Sequence, residues 1–219
     1  LYRKNRYLGV DRVGDTDQLS IGITSRILAV ADGKELVTAT IGQALYLSEL
    51  GVSLPGQPVT SRESSDYIAE VRFLLYENVN FDLGHQWGSG DSGTSKSEAR
   101  IQYRPKENKI LNLAYRFRKE SLEQGDISWS WPLARSWNFV GRYNYSFRDN
   151  EALERFFGIE YESCCWGIRL ITRRYISTRD GTQDSSFGLQ LVLKGMTSVG
   201  SKADRFLERG ILGYSRDRY

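Results

Sequence analysis

The sequence predicts an all-β fold, an antiparallel up-and-down transmembrane β-barrel segment of about twelve strands. Three observations predict it. Apolar and polar residues alternate with a period of two along most of the chain. The connections alternate between short turns and longer polar loops, the asymmetry that outer-membrane barrels show. Arginines stand on or near the strands on the polar face, among them Arg116, Arg118, Arg142, Arg148, Arg169 and Arg173. A closed soluble core would pay several kcal/mol for each such charge left unpaired, so that face must meet water, outside a sandwich or inside a wet lumen.

The elements follow in order. Residues 20–30 and 36–48 alternate loosely, joined by Ala31-Asp32-Gly33-Lys34. After a polar stretch at 50–62 containing Pro55 and Pro58, the next clear run sets Val79, Phe81, Leu83, His85 and Trp87 against Asn80, Asp82, Gly84 and Gln86. A third sets Leu111, Leu113, Tyr115 and Phe117 against Asn112, Ala114, Arg116 and Arg118. The clearest places Trp137, Phe139, Gly141, Tyr143, Tyr145 and Phe147 on one face, with Asn138, Val140, Arg142, Asn144, Ser146 and Arg148 on the other. Residues 153–161 and 165–178 continue the pattern. The last run sets Phe187, Leu189, Leu191 and Leu193 against Gly188, Gln190, Val192 and Lys194. Strands of about ten residues, tilted about 45°, give an apolar band near 24 Å tall. Trp87, Trp129, Trp131, Trp137 and Trp166 are expected near its rims, as interfacial girdles.

Composition narrows the class. The 219 residues carry 30 Lys and Arg against 27 Asp and Glu, a net charge of +3 with interspersed signs, so no nucleic-acid surface is read. No apolar run reaches the roughly 18–20 residues of a spanning helix. Aromatic residues make up 12%, too many for a disordered chain. The chain opens Leu1-Tyr2-Arg3 without an initiator Met or a signal-peptide pattern, and reads as a mature chain or a piece of a longer one.

Nothing in the sequence assembles a catalytic site. His85 is the single histidine and reads as structural. The run 88–96 looks like a phosphate loop, but Thr94 stands where that loop needs Lys. No metal set or cofactor site is read, and the chain is not expected to be an enzyme. Cys164 and Cys165 are the two cysteines, adjacent at a short turn. Vicinal cysteines rarely bond each other. They are either two unremarkable buried thiols or each pairs with a cysteine outside these residues, which implies an oxidising compartment and a longer chain.

The stretch Gly158-Ile159-Glu160-Tyr161-Glu162-Ser163-Cys164-Cys165-Trp166-Gly167-Ile168-Arg169 resembles the vicinal-cysteine turn of the LptD family of outer-membrane lipopolysaccharide-assembly proteins. Further similar stretches follow in order. They are Asp15-Thr16 through Ile23-Thr24-Ser25-Arg26, then Ser130-Trp131-Pro132-Leu133-Ala134, and Phe187 through Gly195. The resemblance implies a barrel of about 26 strands, of which this chain is the C-terminal half. It implies insertion of lipopolysaccharide into the outer leaflet, with a lipoprotein plug, LptE, inside the barrel and an N-terminal periplasmic domain on the same protein. It implies disulfides from Cys164 and Cys165 to cysteines of that N-terminal part. It also implies a lateral seam formed by the last strand, Phe187, Gly188, Leu189, Gln190, Leu191, Val192, Leu193 and Lys194, and its absent partner. Arg116, Arg142, Arg148 and Arg169 are then candidate lumen-facing cations. Residues 1–194 form the barrel part, and 195–219 form a tail packed in or below the lumen. Counting back from the last strand places the cysteine turn in the periplasm and the loops at 50–62 and 88–95 outside the cell. The competing readings are a passive outer-membrane barrel (a 12-stranded porin or an autotransporter translocator) and a soluble carbohydrate-binding β-sandwich.

Overall fold

The computed structural model describes residues 17–48, 64–88, 93–177 and 181–215. The loop read at 50–62 lies outside the described residues, as do residues 14–16 of the loop at 14–17, residues 89–92 of the loop at 88–95, the start of the loop after 177, and the last four residues of the tail. Twelve strands form one sheet in plain sequence order, followed by one short helix. The strands are β1 (Gln18–Leu28), β2 (Glu35–Tyr46), β3 (Tyr67–Leu75), β4 (Val79–Trp87), β5 (Thr94–Lys106) and β6 (Lys109–Arg118). They continue with β7 (Leu122–Ala134), β8 (Trp137–Ser146), β9 (Glu151–Glu162), β10 (Trp166–Ile176), β11 (Gln183–Leu193) and β12 (Thr197–Gly200), and the helix is α1 (Ala203–Gly210). The chain divides into two compact units, 1–73 with 82–98, and 74–81 with 99–219.

In the first unit, β1 and β2 form a hairpin whose turn closes through Ala29 N donating to Lys34 O (2.8 Å), with Gly33 at φ +70°. The register sets Ile23 opposite Ile41 and Thr24 opposite Thr40. Leu19, Ile21, Ile23 and Ile27 project from one face into the open, Ile23 at 72% exposure. His85 hydrogen-bonds Ser97 (2.8 Å) and stacks on Trp87, which stacks on Tyr67.

The second unit shows the alternation inverted. Along β10, Trp166, Ile168 and Leu170 are exposed, while Gly167, Arg169 and Ile171 between them are buried. Along β9, Phe157 and Ile159 are exposed and Phe156 and Glu160 are buried. Along β11, Leu189, Leu191 and Leu193 are exposed and Gln190 is buried. A water-soluble sheet buries its leucines and exposes its arginines and glutamines. Here the apolar face is outermost and the covered face is the polar one.

What covers the polar face is the chain's own end. Ala203, Leu207, Ile211 and Tyr214 pack onto Ile110, Val140, Phe156 and Ile171, which stand on the polar face of β6, β8, β9 and β10. Burying Leu207 and Ile211 fully is worth about 1.5–3 kcal/mol each. Phe156 meets Phe206 edge-on at 4.7 Å.

Two details depart from the sequence reading. The strand starting near Phe187 is not the last one, and Lys194 is not in it: Lys194, Gly195 and Met196 form a turn. With Gly195 at φ +76° the chain reverses, and β12 pairs back onto β11 from Leu193↔Thr197 to Gln190↔Gly200. The sheet therefore extends to Gly200, past the expected boundary at 194. Trp129 is not at a rim either. Its ring lies across Gly141, its register partner, where any side chain would collide with it. Trp137 does stand at a strand end, 4.8 Å from Tyr161, which is 5.1 Å from Trp166.

Candidate functional site

Three features of the second unit carry functional meaning: a charged polar face, the edge of β11 and the cysteine turn. Strand alternation places Asp126, Arg142, Glu154 and Arg173 on adjacent strands of the polar face. They form a chain of alternating charge, with Asp126–Arg142 at 2.6 Å, Arg142–Glu154 at 3.1 Å and Glu154–Arg173 at 2.6 Å. The Arg173 guanidinium also lies over the Tyr175 ring at 3.9 Å and the Phe206 ring at 5.0 Å.

A second cluster anchors the tail. Glu160 accepts from Arg169 Nε (2.9 Å), Asn138 Nδ2 (2.7 Å) and the Tyr214 hydroxyl (2.5 Å). Gln190 Oε1 accepts from the Asp204 amide N–H (3.1 Å) at the start of α1. The Leu212 carbonyl accepts from Gln102 and Asn112, both at 3.1 Å. The structure thus distributes the four predicted lumen cations differently. Arg142 and Arg169 sit on the polar face engaged by carboxylates. Arg116 is half-buried on the same face of β6. Arg148 is not on a strand: it lies in the exposed turn after β8 and donates to the Glu120 carbonyl of the neighbouring hairpin. Sequence reasoning did not single out Glu160, Asn112 or Tyr214, and it named Gln190 only as a seam residue, without its bond to the tail. The i, i+4, i+8 spacing of Ala203, Leu207 and Ile211 was the available signal for a docked tail.

Of the expected seam residues, Phe187 to Leu193 lie on β11, with a strand partner on each side for part of that length, and Lys194 lies in the turn that follows. β10 pairs with all of β11, from Trp166↔Leu193 to Ile176↔Gln183. β12 pairs only with Gln190 to Leu193, and Ser201 then caps the Leu189 carbonyl through its amide (2.8 Å) and hydroxyl (3.0 Å). Gly200, at φ +107° and hard against the Leu189 carbonyl, is where the tail leaves the sheet.

The cysteine turn joins β9 to β10. Ser163 N donates to Trp166 O (2.9 Å), leaving Cys164 and Cys165 as the two turn residues. Both thiols are exposed, so the buried-thiol reading does not hold. Their sulfurs are 2.8 Å apart. The Cys165 thiol and the Ser163 hydroxyl stabilise the Cys164 thiolate, with Lys194 adding attraction, and hold its pKa below the usual thiol value; the neighbouring Cys164 raises that of Cys165. Cys164 is thus the readier nucleophile of the two. Among the described residues no group of three or more His, Cys, Asp or Glu side chains is placed to hold a metal.

Comparison with known proteins decides the family. The sequence profile of the LPS transport system D family, LptD, matches residues 1–137. The chain belongs to the LptD family. Its similarity to LptD relatives runs the whole length of the chain. It is 38% identical to the LPS-assembly protein LptD of Nitrosococcus oceani and 35% identical to that of Xanthomonas euvesicatoria pv. vesicatoria, over 99% of the chain in each case. The LptD of Xylella fastidiosa is 35% identical over the same share. The chain spans 28–29% of the length of these LptD relatives.

Proposed function

We propose that this chain is the C-terminal part of a Gram-negative outer-membrane β-barrel of about 26 strands that inserts lipopolysaccharide into the outer leaflet. The observation that carries the reading is the inverted alternation of β9, β10 and β11. Lipid is the solvent in which exposed Ile168, Leu170 and Leu189 beside covered Arg169 and Gln190 make a stable surface. On this reading the polar face lines an aqueous lumen that carries the sugar head, while the acyl chains leave sideways into the membrane. The exit is the seam along β11, where β12 leaves Gln183 to Gly188 for the first strand of the complete barrel to meet. A ladder this short separates at low cost. The work is transport, with no bond of the lipid made or broken. The tail is the part of this chain packed in the lumen, and a lipoprotein plug of the LptE kind fills more of it. Cys164 and Cys165 join the barrel to the periplasmic N-terminal domain by disulfides, and their exposure at a tight turn suits that role.

Photo-crosslinking in cells tests this. A benzoylphenylalanine at position 116 or 186 of the full-length protein should yield a lipopolysaccharide adduct, and one at position 23 should not crosslink through the lumen path. Equal adducts at all three positions, or none at 116 and 186, would count against transport along this face.

A further inference from the structure

Two arginines stand on the apolar face, where lipid is the solvent. Arg155 on β9 and Arg174 on β10 are directly opposite each other in the register. Strand alternation puts Arg155 on the same face as exposed Phe157 and Ile159, and Arg174 on the same face as exposed Thr172, Leu170 and Ile168. Their chain neighbours Glu154 and Arg173 point the other way and pair with each other at 2.6 Å. Among the described residues neither Arg155 nor Arg174 has a hydrogen-bond or ion-pair partner. Like charges directly opposite on adjacent strands repel, and a cation on a lipid face is costly except near the interface. An anion held between the two guanidiniums removes both costs.

The surroundings specify what carries the anion. Arg174 is eight residues along β10 from Trp166, which stands beside the cysteine turn. At about 3.3 Å per residue and a tilt near 45°, that is about 19 Å of height, so the pair lies near the top of the apolar band. Tyr143 flanks Arg155 on β8 and Ser185 flanks Arg174 on β11, which sets two guanidiniums between two hydroxyl groups. Beneath them the column is apolar. A phosphate above acyl chains matches this order, and the planar guanidinium fork suits phosphate oxygens. Ser185 also lies in the stretch of β11 that β12 leaves unpaired, so Arg174 is one strand from the seam. We propose that Arg155 and Arg174 bind the phosphate of a glycolipid in the leaflet opposite the cysteine turn, as a receiving site beside the opening through which the lipid leaves the barrel. This rests on the lipid-facing reading of the apolar face above. The guanidiniums take the phosphate oxygens, and the acyl chains settle against Phe157, Ile159 and Leu170.

The test uses the full-length protein in phosphatidylcholine nanodiscs that contain either phosphorylated lipid A or the same lipid with its phosphates removed. A benzoylphenylalanine at position 143 reports the pair. One at position 101, on the same face four strands from β9, reports bulk lipid. The lipid A adduct at 143 should be at least about ten-fold higher with the phosphorylated form, as charge-assisted hydrogen bonds to phosphate require. At 101 the two forms should react equally. In Arg155→Gln/Arg174→Gln the yield at 143 should fall to the dephosphorylated level. Excess inorganic phosphate should leave the adduct in place. Equal yields of the two forms at 143, or a yield that the Gln pair leaves unchanged, overturns the site. Displacement by inorganic phosphate marks a free-anion site and overturns the lipid assignment. Adducts at 101 with none at 143 count against the site alone, whereas no lipid adduct at either position overturns the lipid-facing reading and the site with it. The comparison of the two lipid forms needs neither arginine changed, so it decides the matter even where the Gln pair fails to fold.

Discussion

Glu160 shows most compactly how single residues hold this chain together. Its carboxylate is covered, takes three donors, and keeps Arg169 from being a buried unpaired cation. Glu160→Ala should therefore cost about 3–5 kcal/mol of folded-state stability, the range for breaking a buried pair. Tyr214→Phe removes one charge-assisted hydrogen bond and should cost about 1.5–3 kcal/mol. Unfolding of the full-length protein in denaturant, read on a heat-modifiability gel, checks both; a Glu160→Ala protein as stable as Tyr214→Phe would contradict the anchor. The cysteines give a pH signature. In the reduced protein, with the Cys164 thiol below the ordinary value and Cys165 above it, a maleimide applied near neutral pH should label Cys164 first. As pH rises and Cys165 ionises, the difference should close. Fragmentation of the labelled 156–169 peptide reads the order, and prior labelling of Cys165 would refute it.

Elements differed in how far their sequences disclosed them. The run at 79–87 coincides with β4, and the alternation from 137 gave β8 and its two faces, because nine or ten residues of strict period two fit no helix. β12 was not legible: Thr-Ser-Val-Gly is too short to show a period, and only the reversal at Gly195 makes it a strand. The tail helix was half-legible. Its own spacing is amphipathic, but its dock is four apolar residues scattered over an otherwise polar face, each brought to the others only by strand register. Leu207→Ala should cost about 2–5 kcal/mol, as a buried leucine does, and should release the 202–215 segment to protease before the strands unfold. Simultaneous loss of tail and strands would contradict a separately docked tail. Gly141 belongs to the same scale. Gly141→Val should drive the Trp129 ring from its place and lower stability by about 1–3 kcal/mol, as overpacking does. Tryptophan fluorescence reports the displacement, and an unshifted spectrum would rule it out.

For the whole molecule, the class was readable because alternation and aromatic content are properties of the entire chain. The outward direction of the apolar face was inferred from the mid-strand arginines, and burial in the second unit agrees. What the sequence did not disclose is that three of those six arginines, Arg142, Arg169 and Arg173, are engaged by Asp126, Glu154 and Glu160, since ion pairing across strands depends on register that single runs do not reveal. A charge placed on the apolar face should be costly where one on the polar face is not: Leu170→Arg should lower the stability of the membrane-inserted protein by about 2–4 kcal/mol, and an unaffected unfolding midpoint would contradict a lipid-facing Leu170. The most direct measurement of the central claim is spin-label accessibility along β6 in the full-length protein in bilayers, one label at a time from 113 to 116. The account predicts a two-residue period, with labels at 113 and 115 relaxed by oxygen dissolved in lipid and labels at 114 and 116 relaxed by a water-soluble nickel chelate. The opposite phase, or four labels that all meet the chelate, would contradict it.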